Sequence, residues 1–310
     1  KPFVYTVAID NGYPPCFELL NQPVTLVMAD GKRWTPENFD HSFGGKFTLR
    51  EGIKQSINLV AIRAIMEIAP VRTVIQYAHK MGIKSELPPY ESLAIGTGEV
   101  QPLEISAAYG VFPNEGVYVE PISVLRIEDK DGNLIEENEP AKREVLSKET
   151  AYLMTNMLEG NVNGGTGTRV RSYYVKPAAG KTGTTQEYAD AWFIGFTPRL
   201  TAGVWVGFDN KAVHFTTSDG QGGHAAAPIW GRFMKYVYED PDIAMPLEYF
   251  KQPDGVESDT ICVETKKVAT PYCPEKEVEI FNKKYPPGKC PKHTSGHWKE
   301  GENSKNLINF

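Results

Sequence analysis

The chain has 310 residues, 41% of them hydrophobic and 23% charged, which is enough for one large domain and an appendage. Against 33 basic residues stand 39 acidic ones, and the net charge of −6 excludes the broad basic field of a nucleic-acid binder. Charges interrupt every apolar run well short of a membrane span, and no signal peptide opens at Lys1, so the sequence reads as a soluble ectodomain or the excised part of something longer.

From the N-terminus, Lys1-Pro2-Phe3-Val4-Tyr5 leads into a stretch from Asp10 to Phe47 rich in Pro, Gly and Asn, which reads as connection with a short strand at Val24 to Ala29. Thr48-Leu49-Arg50-Glu51 fits a capping box, with Thr48 at the N-cap and Glu51 at N3. Leu49, Ile53, Ile57, Val60, Ala64 and Ile68 then recur at helical intervals. A second helical run covers Val71 to Met81 and stops at Gly82; a third runs from Pro102 through Tyr109. Residues 48–112 therefore predict an all-helical lobe.

Beyond Val117 the period shortens. Two strand-like runs flank Asp131-Gly132, a hairpin signal. Ser147 is a suitable N-cap for a helix reaching Leu158. Strands are expected over Ala179 to Thr185, Ala191 to Phe196 and Thr201 to Phe208, the last two as an antiparallel hairpin. A closing helix from Ala226 to Glu239 puts Trp230, Phe233 and Val237 on one face. Past Pro246 the chain turns proline- and lysine-rich and loses periodicity. The expected fold class is mixed α/β of the α+β type: an antiparallel sheet flanked by helices beside a helical lobe. Residues 1–245 form the main domain and residues 246–310 a loop-rich, cysteine-containing appendage.

Two motifs carry chemistry. The first is Lys181-Thr182-Gly183-Thr184. Glycine within a strand often marks a close backbone approach, so Gly183 would let an extended peptide lie along the strand edge. Lys181 and the hydroxyls of Thr182 and Thr184 suit a terminal carboxylate, and the Thr184 N–H suits an oxyanion. An ideal strand puts Lys181 and Thr182 on opposite faces, so a shared role needs distortion or the lysine's reach. The second motif is Ser56-Ile57-Asn58. Residues two apart on a helix diverge by roughly 200°. Ser56 and Asn58 face one cleft only if the helix breaks there, against the apolar period running through it. Each motif alone has a plainer reading: an edge strand with a glycine bulge, or two solvated helix residues.

Their company decides between these readings. Lys1-Pro2-Phe3-Val4-Tyr5, Trp34-Thr35-Pro36-Glu37-Asn38, Leu49-Arg50-Glu51, Val100-Gln101-Pro102-Leu103-Glu104 and Gly165-Thr166-Gly167-Thr168 stand in order with the two motifs. Ala179-Gly180-Lys181, Val204-Trp205-Val206-Gly207 and Ala227-Pro228-Ile229-Trp230 extend the series. From Lys1 to about Met234 the chain resembles the transpeptidase domain of class A (bifunctional) penicillin-binding proteins, which shares its fold with serine β-lactamases. The resemblance implies a serine acyl-enzyme that cross-links peptidoglycan stem peptides ending in D-Ala-D-Ala and is acylated by β-lactams. Lys1 would be the last residue of Ser-x-x-Lys, with the nucleophile three places upstream, so the chain alone is expected to be inactive. Lys1 would act as general base and Ser56 as proton relay. Asn58 would hold the substrate amide, and Lys181, Thr182, Gly183 and Thr184 its carboxylate side. An upstream glycosyltransferase domain and membrane anchor, and a place on the extracytoplasmic face of a bacterial membrane, are implied as well.

Competing readings are a non-catalytic penicillin-sensing domain and a serine β-lactamase. Class A β-lactamase sequences lack such a C-terminal segment. Gly164 to Thr168 has no following Lys-Ser or Lys-Thr and is not a phosphate loop. Cys262, Cys273, Cys290 and His293 leave a disulfide, a metal and free thiols open, with only Cys290-Pro291-Lys292-His293 at ligand-like spacing. No metal or cofactor is assigned. Cys16 reads as a small buried or loop residue, and His41, His79, His214, His224 and His297 as structural or solvated.

Overall fold

Helix α1 (Pro2–Asp10) is apolar on every side, and Val4, Tyr5, Val7 and Ala8 are all but sealed from solvent. A helix of that kind belongs inside a core. Around it pack α2 (Leu49–Lys54), α3 (Asn58–Glu67), α4 (Val71–Lys80) and α6 (Lys148–Gly164). The computed structural model describes residues 1–27, 31–210 and 212–295. Both bonds of the Thr48–Glu51 capping box are made. Gly82, at φ +107°, ends the turn after α4 in a conformation that glycine tolerates best. Helix α5 (Pro102–Tyr109) has its own box, in which Glu104 accepts from the Gln101 N–H while its other oxygen takes the Lys84 and Ser85 N–H groups.

The connection before α2 holds two small antiparallel pairs, β1 (Glu18–Leu20) with β4 (Lys46–Thr48), and β2 (Leu26–Val27) with β3 (Arg33–Trp34). The strand expected at Val24 to Ala29 is described only to Val27. Further on, β5 (Val117–Val119) pairs with β8 (Lys142–Glu144), and β6 (Arg126–Glu128) with β7 (Leu134–Glu137) around Gly132 at φ +82°.

The main sheet is antiparallel and follows the order β11 (Thr201–Gly207), β10 (Asp190–Phe196), β9 (Ala179–Thr184). Its alternation divides two cores. Phe193 joins Trp230, Met234 and Tyr238 of α7 (Gly222–Glu239) on one face, while Ile194 and Phe196 join the helical core around α1 on the other. On α7 the expected stripe needs correction. Trp230 is buried, but Phe233 is 46% exposed, and Met234 and Tyr238 complete the inward face. Spacing alone allowed either neighbour, and the sheet selects the residues one turn apart at 230, 234 and 238. Among the described residues strand β9 pairs with β10 alone, which leaves its outer edge without a strand partner.

The stretch past Pro246 is more ordered than its composition suggested. Strands β12 (Val256–Cys262) and β13 (Lys276–Asn282) pair antiparallel along their whole length. The signal was masked because Glu257, Ser258 and Asp259 interrupt the apolar positions. Val256 is part of the core around α1. From β13, Glu279 takes two hydrogen bonds from the Arg50 guanidinium, at 2.8 and 2.5 Å, and Arg50 Nη1 reaches Asn156 at 2.8 Å. This fork ties α2 to the hairpin and to α6. Glu279 is only 7% exposed, so Glu279→Ala strands the arginine and should cost about 1.5–3 kcal/mol. Urea unfolding measures it; an unchanged midpoint would mean that the fork adds nothing.

Candidate active site

Helix α2 ends in a motif that explains the Ser56 break. The Ile57 N–H donates to the Gly52 carbonyl at 2.9 Å and the Ser56 N–H to Ile53 at 3.3 Å, the paired bonds of a Schellman ending. Its pivot residue must be left-handed, and Ser56 has φ +59°. Glycine is the usual occupant because a side chain there costs about 1–2 kcal/mol. A serine at such a pivot is strain of the sort that gathers at functional sites. Helix α3 then starts at Asn58 with Ile57 at its N-cap, a residue with no side-chain acceptor. The missing cap comes from afar: Asn38 Oδ1 accepts the N–H groups of Asn58 and Leu59 at 2.9 and 3.0 Å. Asn38 is itself held by Asn21 Oδ1 and the Ser42 carbonyl.

The break turns Ser56 and Asn58 toward the same place. Lys1 Nζ lies 2.6 Å from Asn58 Oδ1 and 3.4 Å from Ser56 Oγ. Asn58 Nδ2 donates to the Glu37 carbonyl at 2.9 Å, which fixes the amide's orientation and leaves it one further hydrogen. Lys181 comes from β9 and places its Nζ 2.8 Å from the same Ser56 Oγ and 3.0 Å from the Thr182 carbonyl. The lysine's reach therefore resolves the opposite-face problem without breaking the strand.

Electrostatically the site is unusual. Burial pushes the Lys1 amine down to about 8. Lys181, almost wholly buried, is driven well below the ordinary lysine range by burial first and by Lys1 second. Two ammonium groups this close resist being charged together. Nearer the surface, Thr182 Oγ1 and Thr166 Oγ1 share a hydrogen bond of 2.6 Å, and Asn161 Nδ2 donates to Thr166 at 2.9 Å. Thr184 Oγ1 accepts the Gly222 N–H at 3.0 Å, which keeps its own hydrogen free to donate. Gly183 lies opposite Trp192, and a Cβ there would come 3.1 Å from that residue's Cβ.

Residues 1–235 match the family described as penicillin binding protein transpeptidase domain. The chain belongs to that family. Among its relatives, penicillin-binding protein 1A of Aquifex aeolicus is 39% identical over 80% of this chain and 34% of its own length. The Neisseria lactamica protein of the same name is 35% identical over 83% and 32%, and that of Pseudomonas aeruginosa 31% over 93% and 40%. The chain thus spans about a third of these relatives. The crystal structure of penicillin-binding protein 1A from Haemophilus influenzae superposes with a TM-score of 0.82 at 27% identity, over 93% of this chain and 48% of that one. PonA1 from Mycobacterium tuberculosis, solved with penicillin V, shares the fold at a TM-score of 0.69 and 23% identity, over 81% and 70%.

In this transpeptidase domain all seven residues singled out from the sequence lie on the α2–α3 break, on β9 or at Lys1. Reasoning from sequence missed Asn38 as the distant cap, and Asn161 as the residue that fixes Thr166. Thr166 belonged to a glycine-rich stretch read as not being a phosphate loop. Among the histidines, His41 pairs with Glu37 and His79 with the Ile83 carbonyl, and His297 lies outside the described residues. Cys16 is buried.

Ser56→Gly should leave stability unchanged or raise it by up to about 1 kcal/mol, because relief at the left-handed pivot exceeds the entropy glycine adds to the unfolded chain. Thermal denaturation decides this. A marked drop in midpoint would show that the hydroxyl's bonds to the lysines outweigh the backbone strain.

Proposed function

We propose that this domain is the acyl-transfer half of a peptidoglycan D,D-transpeptidase, acting through a serine three places before Lys1. The observation that carries the reading is the convergence of Lys1 and Lys181 on the Ser56 hydroxyl, at 3.4 and 2.8 Å. Lys1, as the free amine, takes the nucleophile's proton while the serine oxygen attacks the carbonyl of the penultimate D-alanine. The C–N bond to the last D-alanine then breaks, and the leaving amine receives a proton through Ser56. An amine on a neighbouring stem peptide takes up the acyl group and restores the serine. A β-lactam acylates the same oxygen by opening its ring.

The stem would lie along the open edge of β9, with Asn58 on its amide and Lys181, Thr182 and Thr184 around its carboxylate. That carboxylate favours the charged form of Lys181, whose charge in turn keeps Lys1 neutral. The substrate thereby helps prepare its own base. Such chemistry belongs on the outer side of a bacterial membrane, beside a glycosyltransferase domain and anchor on the rest of the protein. Among the described residues no helix is long and apolar enough to cross a membrane.

The first test is intact mass after benzylpenicillin, on the protein including the segment before Lys1. One stable penicilloyl group at the serine three places upstream is expected. No addition to folded protein with intact drug would overturn the reading, and rapid hydrolysis without accumulation would make it a β-lactamase.

The pH profile follows from the lowered amine. With a value of about 8, Lys1 is mostly protonated at neutral pH, so the acylation rate should rise with pH toward 8 and level off above it. Lys1→Ala should slow acylation by at least about 10²-fold and flatten the profile. Stopped-flow acylation with a fluorescent penicillin checks both. An unchanged rate in the variant would remove Lys1 as the base.

A further inference from the structure

Four side chains unconnected with the acyl-transfer cleft meet at the end of the β12–β13 hairpin. The Sγ atoms of Cys262, Cys273 and Cys290 and a ring nitrogen of His293 all lie within 4.8 Å of one another. Three of the four residues are buried. We infer that Cys262, Cys273, Cys290 and His293 form a structural site for one zinc ion, with a Cys3His ligand set.

Distances support this ligand set. A tetrahedral zinc with Zn–S of about 2.3 Å and Zn–N of about 2.0 Å has nitrogen-to-sulfur edges of about 3.5 Å. His293 Nδ1 lies 3.4 Å from Cys262 Sγ and 3.5 Å from Cys290 Sγ. The same geometry puts sulfur–sulfur edges at about 3.8 Å, inside the observed limit.

The surroundings treat the histidine as a ligand. Its other nitrogen, Nε2, lies 3.1 Å from Glu264 Oε2, the carboxylate partner that fixes the tautomer and orientation of metal-bound imidazoles. The Thr270 hydroxyl donates to the His293 carbonyl, and the Thr270 N–H donates to Cys273 Sγ at 3.2 Å. Backbone bonds from Cys262 N–H to the Lys267 carbonyl and from Cys290 N–H to the Val268 carbonyl, at 2.7 and 2.8 Å, hold the loops that carry these ligands.

A disulfide accounts for less. It joins two sulfurs, leaves the third without a task and gives His293 and Glu264 none. The local core also needs a staple, because among the described residues its buried members are the three cysteines, with Ala269 alone packed beside them. A cluster that small cannot stabilise itself by apolar burial, and a closed zinc site contributes folding energy directly.

The test uses the intact protein, purified without chelator or added metal, and counts zinc by plasma mass spectrometry. One zinc per chain is expected, with the three thiols unreactive until a chelator and denaturant release them. The double variant Cys290→Ser/His293→Ala should lose the zinc. Should that variant fail to fold, cobalt exchanged into the wild-type protein supplies the second readout, through the thiolate charge-transfer and tetrahedral ligand-field bands of a sulfur-rich site. Glu264→Gln should still bind zinc, about 10- to 100-fold more weakly. A zinc-free protein overturns the inference, whether two hydrogens lighter through a disulfide or with every thiol free. So does zinc that persists in the double variant.

Discussion

Holding two lysine amines on one serine hydroxyl, away from most of the water, is the demand from which the architecture follows. Burial and mutual repulsion both oppose their charges, and no side-chain carboxylate is within hydrogen-bond reach of either amine among the described residues. Flexible side chains would simply swing apart. Lys1 is fixed at the head of a helix sealed in the main core, Lys181 by a strand paired along its length, and Ser56 by a pivot that cannot rotate freely. Each comes from a different part of the chain. The rigidity of the two cores therefore appears at the site as a fixed distance between amines.

Much of this was legible in the sequence because local rules and function agreed there. The Thr48–Glu51 box, the stop at Gly82, the hairpin around Gly132 and the strands through Lys181 and Trp192 follow from capping, turn chemistry and alternation. At Ser56 the two disagreed. Apolar spacing ran on through Ile57, and the argument for a break came from the need to point Ser56 and Asn58 the same way. The backbone does break there, between Lys54 and Asn58, while Ile57 still packs against the main core.

What could not be read depended on partners far apart in the chain. Nothing near Asn38 announces that its amide will cap a helix 20 residues away. Nothing near Asn161 shows that its side chain will bind both the Lys54 carbonyl and Thr166, joining the end of α2 to the loop beside β9. The inward face of α7 was misplaced for a similar reason, since the choice between Phe233 and Met234 is made by the sheet. In the C-terminal stretch, acidic and hydroxyl side chains hid a pair of strands whose buried positions are few.

The Arg50–Glu279 fork links residues 229 apart in sequence. Helix α2 is too short to persist alone, because six residues cannot repay the cost of nucleation. During synthesis its arginine waits for 229 further residues to emerge before its carboxylate exists. Contacts of such long range close slowly, since loop entropy is lost before the bond compensates for it. The fork therefore steadies the α2 corner that presents Ser56 only once the β12–β13 hairpin is in place.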